Sequence, residues 1–189
     1  MHPKTIAMAA IFSLTALPAL AQTHSAMHHH ATDANGALIH DEVNMPGLIG
    51  ENTTDDEVDA LKELFINHQG ITRTVENLPN GIRTVTEAED EVLRDAIVNH
   101  VASMINRVED GFDPRIPIQS PTLDLLFAKP ELITTEIEFT ETGVIVVQTS
   151  DDAAMVEALQ THAGEVSDLA ARGMVAVHET MMKAHHGTK

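Results

Sequence analysis

The chain is 189 residues long, sets 29 acidic side chains against 11 basic ones and contains no cysteine, tryptophan or tyrosine. A formal charge of −18 argues against nucleic acid and anionic lipid as partners, because phosphate-rich surfaces are held by a basic face. Missing thiols exclude disulfides, thiolate ligands and thioether-linked haem, and a ring content of five phenylalanines leaves no material for the stacking platforms that hold sugars or single strands.

At the start, Lys4 precedes an apolar run from Ile6 to Leu17, followed by Pro18 and the small-residue site Ala19-Leu20-Ala21. Basic start, apolar middle and A-x-A end predict a secretory signal over residues 1–21, with cleavage before Gln22 and a periplasmic or secreted destination. The run is shorter than the ~20 apolar residues of a helical span, so no membrane span is expected. Residues 22–53 read as a flexible polar arm. It carries His24, Met27, His28, His29, His30 and His40. With a free amine at Gln22, His24 stands third and can complete a square plane around Cu(II) or Ni(II).

Order is expected from Thr54, whose hydroxyl precedes Asp55, Asp56 and Glu57 as a helix cap with acids at the positive end of the dipole. Val58, Leu61, Leu64, Phe65 and His68 then recur at helical spacing up to Gly70. Ile71 to Val75 and Ile82 to Thr86 read as strands joined through Asn77 to Gly81, where Asn-Gly is a strong hairpin signal. A helix is predicted from Glu87 to Glu109, with Val92, Ala96, Ile97, His100, Val101, Met104 and Ile105 on one face. Asp113 to Pro121 is a proline-rich linker, and Pro121 to Phe127 a short helix. Strands follow at Ile133 to Phe139 and Val144 to Gln148. Ser150-Asp151-Asp152 then caps a helix bearing Met155, Val156, Leu159, His162, Val166 and Leu169, and residues 174–189 extend it as a Met/His-rich helix and tail.

Ile71 to Gly111 and Ile133 to Gly173 align at a constant shift with roughly nine identities over ~41 positions, a level that suggests an internal repeat. His100 falls on His162, Gly81 on Gly143, Asp90 on Asp152 and Gly111 on Gly173, and Leu61, Leu64 and Phe65 fall on Leu123, Leu126 and Phe127. The expected fold is α+β: two helix-hairpin-helix units, about 55–111 and 117–173, in one domain spanning 54–173. Their sheet has about four antiparallel strands, with pseudo-twofold symmetry and an extended C-terminal helix.

Two residue sets point to chemistry. The core set is His68, His100, Met104 and His162. Positions i and i+4 share a helix face, which brings His100 beside Met104, and the symmetry predicts that His100 approaches His162 with His68 nearby. Small Ala163 and Gly164 leave room beside His162. Imidazole with thioether suits copper or haem iron. The terminal set is His24, His28, His29 and His30 in the arm, with Met174, His178, Met181 and His185 as a stripe of sulfur and imidazole on the last helix. Read together in an exported, thiol-free chain, they point to a transition-metal protein, copper favoured, that sequesters the ion or exchanges it with a periplasmic donor or acceptor protein. The alternative is non-covalent haem b on His100, Met104 and His162, with Arg73 or Arg107 meeting a propionate; the same two arginines could instead pair with buried carboxylates. A second alternative is an interaction module that binds no metal. The acid-rich helix starts read as caps, and no P-loop, dinucleotide fingerprint, G-x-S-x-G elbow or H-E-x-x-H motif is present to suggest an enzyme.

Leu64-Phe65-Ile66-Asn67-His68 with Ile71 and Arg73, Asn99-His100-Val101 with Met104 and Arg107, and Thr149-Ser150-Asp151 followed by Thr161-His162-Ala163 resemble an uncharacterised family of exported bacterial proteins. The resemblance covers about residues 58–174. It implies that these histidines and arginines belong to one pattern, and it carries no activity.

Overall fold

Thr54 opens the first helix as its sequence predicts. The Thr54 hydroxyl accepts from the Glu57 amide at 3.3 Å and the Glu57 carboxylate accepts from the Thr54 amide at 2.8 Å, a reciprocal capping box that starts α1, Asp55–Ile66. The computed structural model describes residues 45–186; the stretch expected to be a signal sequence and the histidines His24, His28, His29, His30 and His40 lie outside the described residues.

After one 3-10 turn at His68–Gly70, β1 (Thr72–Leu78) and β2 (Gly81–Glu87) form the first hairpin, followed by α2 (Glu91–Glu109). α2 begins later than the expected Glu87. β2 runs on through Glu87, and the Asp90 carboxylate caps the helix by accepting from the Leu93 amide at 2.9 Å. The second half repeats the order with α3 (Thr122–Ala128), β3 (Thr134–Phe139), β4 (Gly143–Thr149) and α4 (Ala153–Arg172). Of the three expected capping residues there, Asp152 makes the bond, accepting from the Met155 amide at 2.9 Å. Gly173 takes φ of 55°, a left-handed region open to glycine, so the expected continuous extension is a separate helix, α5 (Met174–His186).

The described residues thus form an α+β fold of five α-helices and a four-stranded antiparallel sheet of order β1-β2-β4-β3. β2 and β4 meet at the centre, with Gly81 opposite Thr149, Thr84 opposite Val146 and Glu87 opposite Gly143. Both glycines are required by this seam: a side chain on Gly81 would strike the Gln148 carbonyl, and one on Gly143 the Thr86 carbonyl.

Strand alternation sends Ile82, Thr84, Thr86, Val144 and Val146 to one face, where they are buried. Each hairpin is covered mainly by the other half's long helix, α2 lying on β4 and α4 on β1 and β2. Leu93 and Ile97 of α2 accordingly cluster with Val144 and Val146, while Met155, Leu159 and Ala163 of α4 cluster with Ile82 and with Leu126 of α3. Each such fully buried aliphatic side chain contributes about 1.5–3 kcal/mol, so the exchange of partners ties the halves together. No helix among the described residues is long and apolar enough to cross a membrane.

Candidate functional site

A pocket of about 300 Å³ lies between the sheet and its helices. Its floor is Ile82, Thr84 and Thr86 of β2 with Val144, Val146 and Gln148 of β4, and its walls include Ile97, His100, Val101 and Met104 of α2, and His162, Ala163 and Val166 of α4. The helical repeat that puts His100 one turn before Met104 also aims both at this space. Leu61, Leu64 and Phe65 of α1 and Leu126 and Phe127 of α3 close the sides.

The whole expected core set, His68, His100, Met104 and His162, therefore borders one pocket, as does Arg73. Each residue meets it differently. The Nδ1 of His68 donates to the Ala170 carbonyl at 3.0 Å, which fixes the ring against the last turn of α4. His100 is set deep, with Nδ1 buried and unpartnered. Burial pushes its pKa down to about 4, helped by the neighbouring His162 and opposed by Glu57, so at neutral pH the ring is uncharged. His162 Nδ1 stands 3.8 Å from Glu165 Oε2, an ionic distance too long for a hydrogen bond. The other Glu165 oxygen accepts from Ser120 at 2.7 Å and Thr122 at 3.1 Å. His162 is the main influence holding the Glu165 carboxyl below its ordinary range; burial opposes it and the two hydroxyls add to it.

Of the two roles expected for Arg107, a buried carboxylate partner or a propionate, the first holds. Arg107 does not border the pocket: its Nε and Nη2 grip the two oxygens of Glu57 at 2.6 and 2.7 Å, and Nη2 also donates to the Asn52 carbonyl at 2.8 Å. Ser103 adds a bond to the same carboxylate at 2.5 Å. Arg107 thus clamps the start of α1 to α2 and is unavailable to a propionate, and it holds the Glu57 carboxyl far below its usual range. Glu57 serves both as the expected cap residue and as this ion-pair partner. Gly164 faces open space, so only Ala163, which is buried, makes room beside His162.

Among the described residues no three His, Asp or Glu side chains stand close enough to share a metal ion, so the core imidazoles line a pocket without converging on one point. Met174 and His178 are half-buried on α5 and do not border the pocket, and Met181 and His185 follow further along the same helix.

Arg73 is the residue whose surroundings the sequence left unread. Register sets it opposite Thr86, and its Nη1 donates to the Thr86 hydroxyl at 2.5 Å. Its Nε is buried with no partner. Burial lowers its pKa to about 10, which leaves it cationic at neutral pH. Glu165 and Gln148 were missed as well; the three-residue step from His162 signals the first, and the pairing of Gln148 with Thr135 across β3 and β4 becomes visible only with the register.

No family model, no curated protein and no solved structure matches this chain. The chemistry of the pocket thus stands on its own residues: aliphatic walls, three imidazoles, one thioether, one guanidinium and one carboxylate.

Proposed function

We propose that this chain is a non-catalytic binding protein of the exported compartment that sequesters or hands on a small, mostly apolar molecule in the pocket between the sheet and α2 and α4. The carrying observation is the lining, in which leucine, isoleucine and valine walls surround four buried polar atoms without hydrogen-bond partners, Arg73 Nε, His100 Nδ1, His162 Nδ1 and Glu165 Oε2. Close-packed interiors hold few voids larger than a water molecule, and buried polar atoms are normally satisfied. A space of about 300 Å³ lies at the small end of the ~300–1,000 Å³ range of ligand sites. That suits a single chain or a small ring better than the porphyrin of the haem alternative.

The test is uptake of the neutral probe N-phenyl-1-naphthylamine by the full chain. Its fluorescence rises on entering an apolar site, and Val166→Phe, which fills the pocket from α4, abolishes the rise while leaving the far-ultraviolet circular dichroism unchanged. Absence of any rise with the unsubstituted protein refutes the reading.

A duplicated origin with pseudo-twofold symmetry belongs to the same proposal, together with membership in the exported bacterial family that the sequence resembles. Its support is the central seam, where the shift that carries Gly81 to Gly143 also carries Glu87 to Thr149, so that the pairs Gly81–Thr149 and Glu87–Gly143 exchange. Copper capture or delivery remains a separate proposal for the two terminal segments, supported by the residue types His24, His28, His29, His30, Met174, His178, Met181 and His185.

A further inference from the structure

We propose that the occupant of this pocket is an amphipathic monocarboxylate, with its carboxylate received by Arg73 and its apolar tail lying between α2 and α4. The inference rests on the pocket reading above and adds the head group.

Arg73 reaches the pocket from β1 with a single hydrogen bond, from Nη1 to Thr86, and its Nε is buried without a partner. Among the described residues no acid pairs with it, although the chain carries 29 acidic side chains. Its pKa is moved by burial alone, with no acid acting on it. A guanidinium drawn out of water and left unpaired is costly, and the cost falls when an anion supplies the missing charge.

The protein displays the preferred partner of this group at two other places. Arg107 uses its Nε and Nη2 edge to hold both oxygens of Glu57, and Arg172 uses the same edge on both oxygens of Asp168. In Arg73, Thr86 occupies Nη1 and leaves the Nε and Nη2 edge open, the edge that matches a carboxylate in a two-pronged bond.

The rest of the lining sets the remaining features of the ligand. Ile82, Ile97, Val101, Ile105, Leu126 and Val166 offer an alkyl chain or a ring no polar contact. Arg73 is the guanidinium of the pocket, and one carboxylate matches its open edge. Glu165 also borders the pocket, and its carboxylate, tied to Ser120 and Thr122, repels a second acidic group. A neutral amphiphile would leave Arg73 unpaired. A diacid would face Glu165.

The experiment uses the full chain loaded with N-phenyl-1-naphthylamine at pH 7.5 and displaced by decanoate or by decanol, which share a tail and differ in head group. The unsubstituted protein should release the probe at decanoate concentrations at least tenfold below those of decanol, the least that a charge-assisted, two-pronged bond contributes (roughly tenfold to a hundredfold). Arg73→Gln should erase the preference, read as the ratio of the decanoate and decanol concentrations that release the probe, and Arg73→Lys should keep part of it. Decanol displacing as well as decanoate in the unsubstituted protein overturns the inference, as does a preference that survives in Arg73→Gln. Should Arg73→Gln not fold, the comparison of the two displacers and the Lys variant decide alone. Failure to take up the probe at all sinks the pocket reading and this inference with it, whereas uptake without carboxylate preference sinks only the inference.

Discussion

Acid should destabilise this protein through His100. Burial on α2 pushes its imidazole from 6.5 to about 4, whereas the unfolded chain returns it to the ordinary ~6.5. Between these values the unfolded state binds a proton that the folded state refuses, so stability falls as pH falls. The contribution is complete above about 6.5, the unfolded value, and is gone once pH has dropped through the folded value. At about 1.4 kcal/mol per pH unit, the window from 6.5 to about 4 amounts to about 3 kcal/mol. That is a large share of the ~5–15 kcal/mol by which domains are stable. His100→Leu deletes this proton uptake and keeps an apolar side chain against Ile97 and Val101. Urea unfolding at pH 7 and pH 4.5 should show the unsubstituted protein losing about 2–3 kcal/mol more than the variant over the same interval. The many surface carboxylates titrate in both proteins and cancel in the difference. Equal losses in the two would refute the assignment of a buried, neutral imidazole.

Arg107→Met leaves the Glu57 carboxylate, 11% exposed, without its guanidinium, and should cost about 2–4 kcal/mol at neutral pH, somewhat below a fully buried pair. Because the Glu57 pKa is depressed in the intact pair, that cost should fade below the ordinary carboxyl range of ~4.3, and adding Glu57→Gln should recover part of it; a melting temperature unmoved by Arg107→Met contradicts the clamp. Gly143→Ala drives a methyl group into the Thr86 carbonyl and should destabilise by about 1–3 kcal/mol, and a urea midpoint equal to that of the unsubstituted protein would argue against the seam. Cu(II) uptake by His24, His28, His29 and His30 should decline below pH ~6.5 as the imidazoles protonate, while Cu(I) on the thioethers of Met174 and Met181 persists; parallel loss of both, followed by competition titration, would rule out this division of labour.

The elements were legible wherever local chemistry decides them. Thr54 with Glu57, the Asn80-Gly81 turn and the glycine at 173 each act within a few residues, and the helices and strands they delimit stand within a few residues of the expected ends. The late start of α2 was not legible, since Glu87 to Glu89 suit a helix start by composition and only pairing of Glu87 with Thr72 and Gly143 holds the strand open. Periodicity also picked out His100, Met104 and His162 as inward-facing. What they face is a product of docking: the exchange of helices between hairpins brings α2 over β4 and α4 over β2. No pattern within either half states that. The arginines show the same limit. Arg73 and Arg107 look alike in sequence, yet one is paired by an acid from the opposite end of its half and the other meets a hydroxyl across a strand, a distinction that depends on long-range placement.

The central seam also bears on how the protein comes apart. Each hairpin closes through a short turn, so its contacts are local, whereas β2 and β4 join residues distant in the chain and must form against a larger entropic cost. The pocket floor takes Thr84 and Thr86 from one hairpin and Val144, Val146 and Gln148 from the other, so the pocket comes into being only as the seam closes. An occupant can therefore grip little of the chain before that late event. It should lengthen the lifetime of the assembled state by slowing its opening, with small effect on the rate at which the separate hairpins fold.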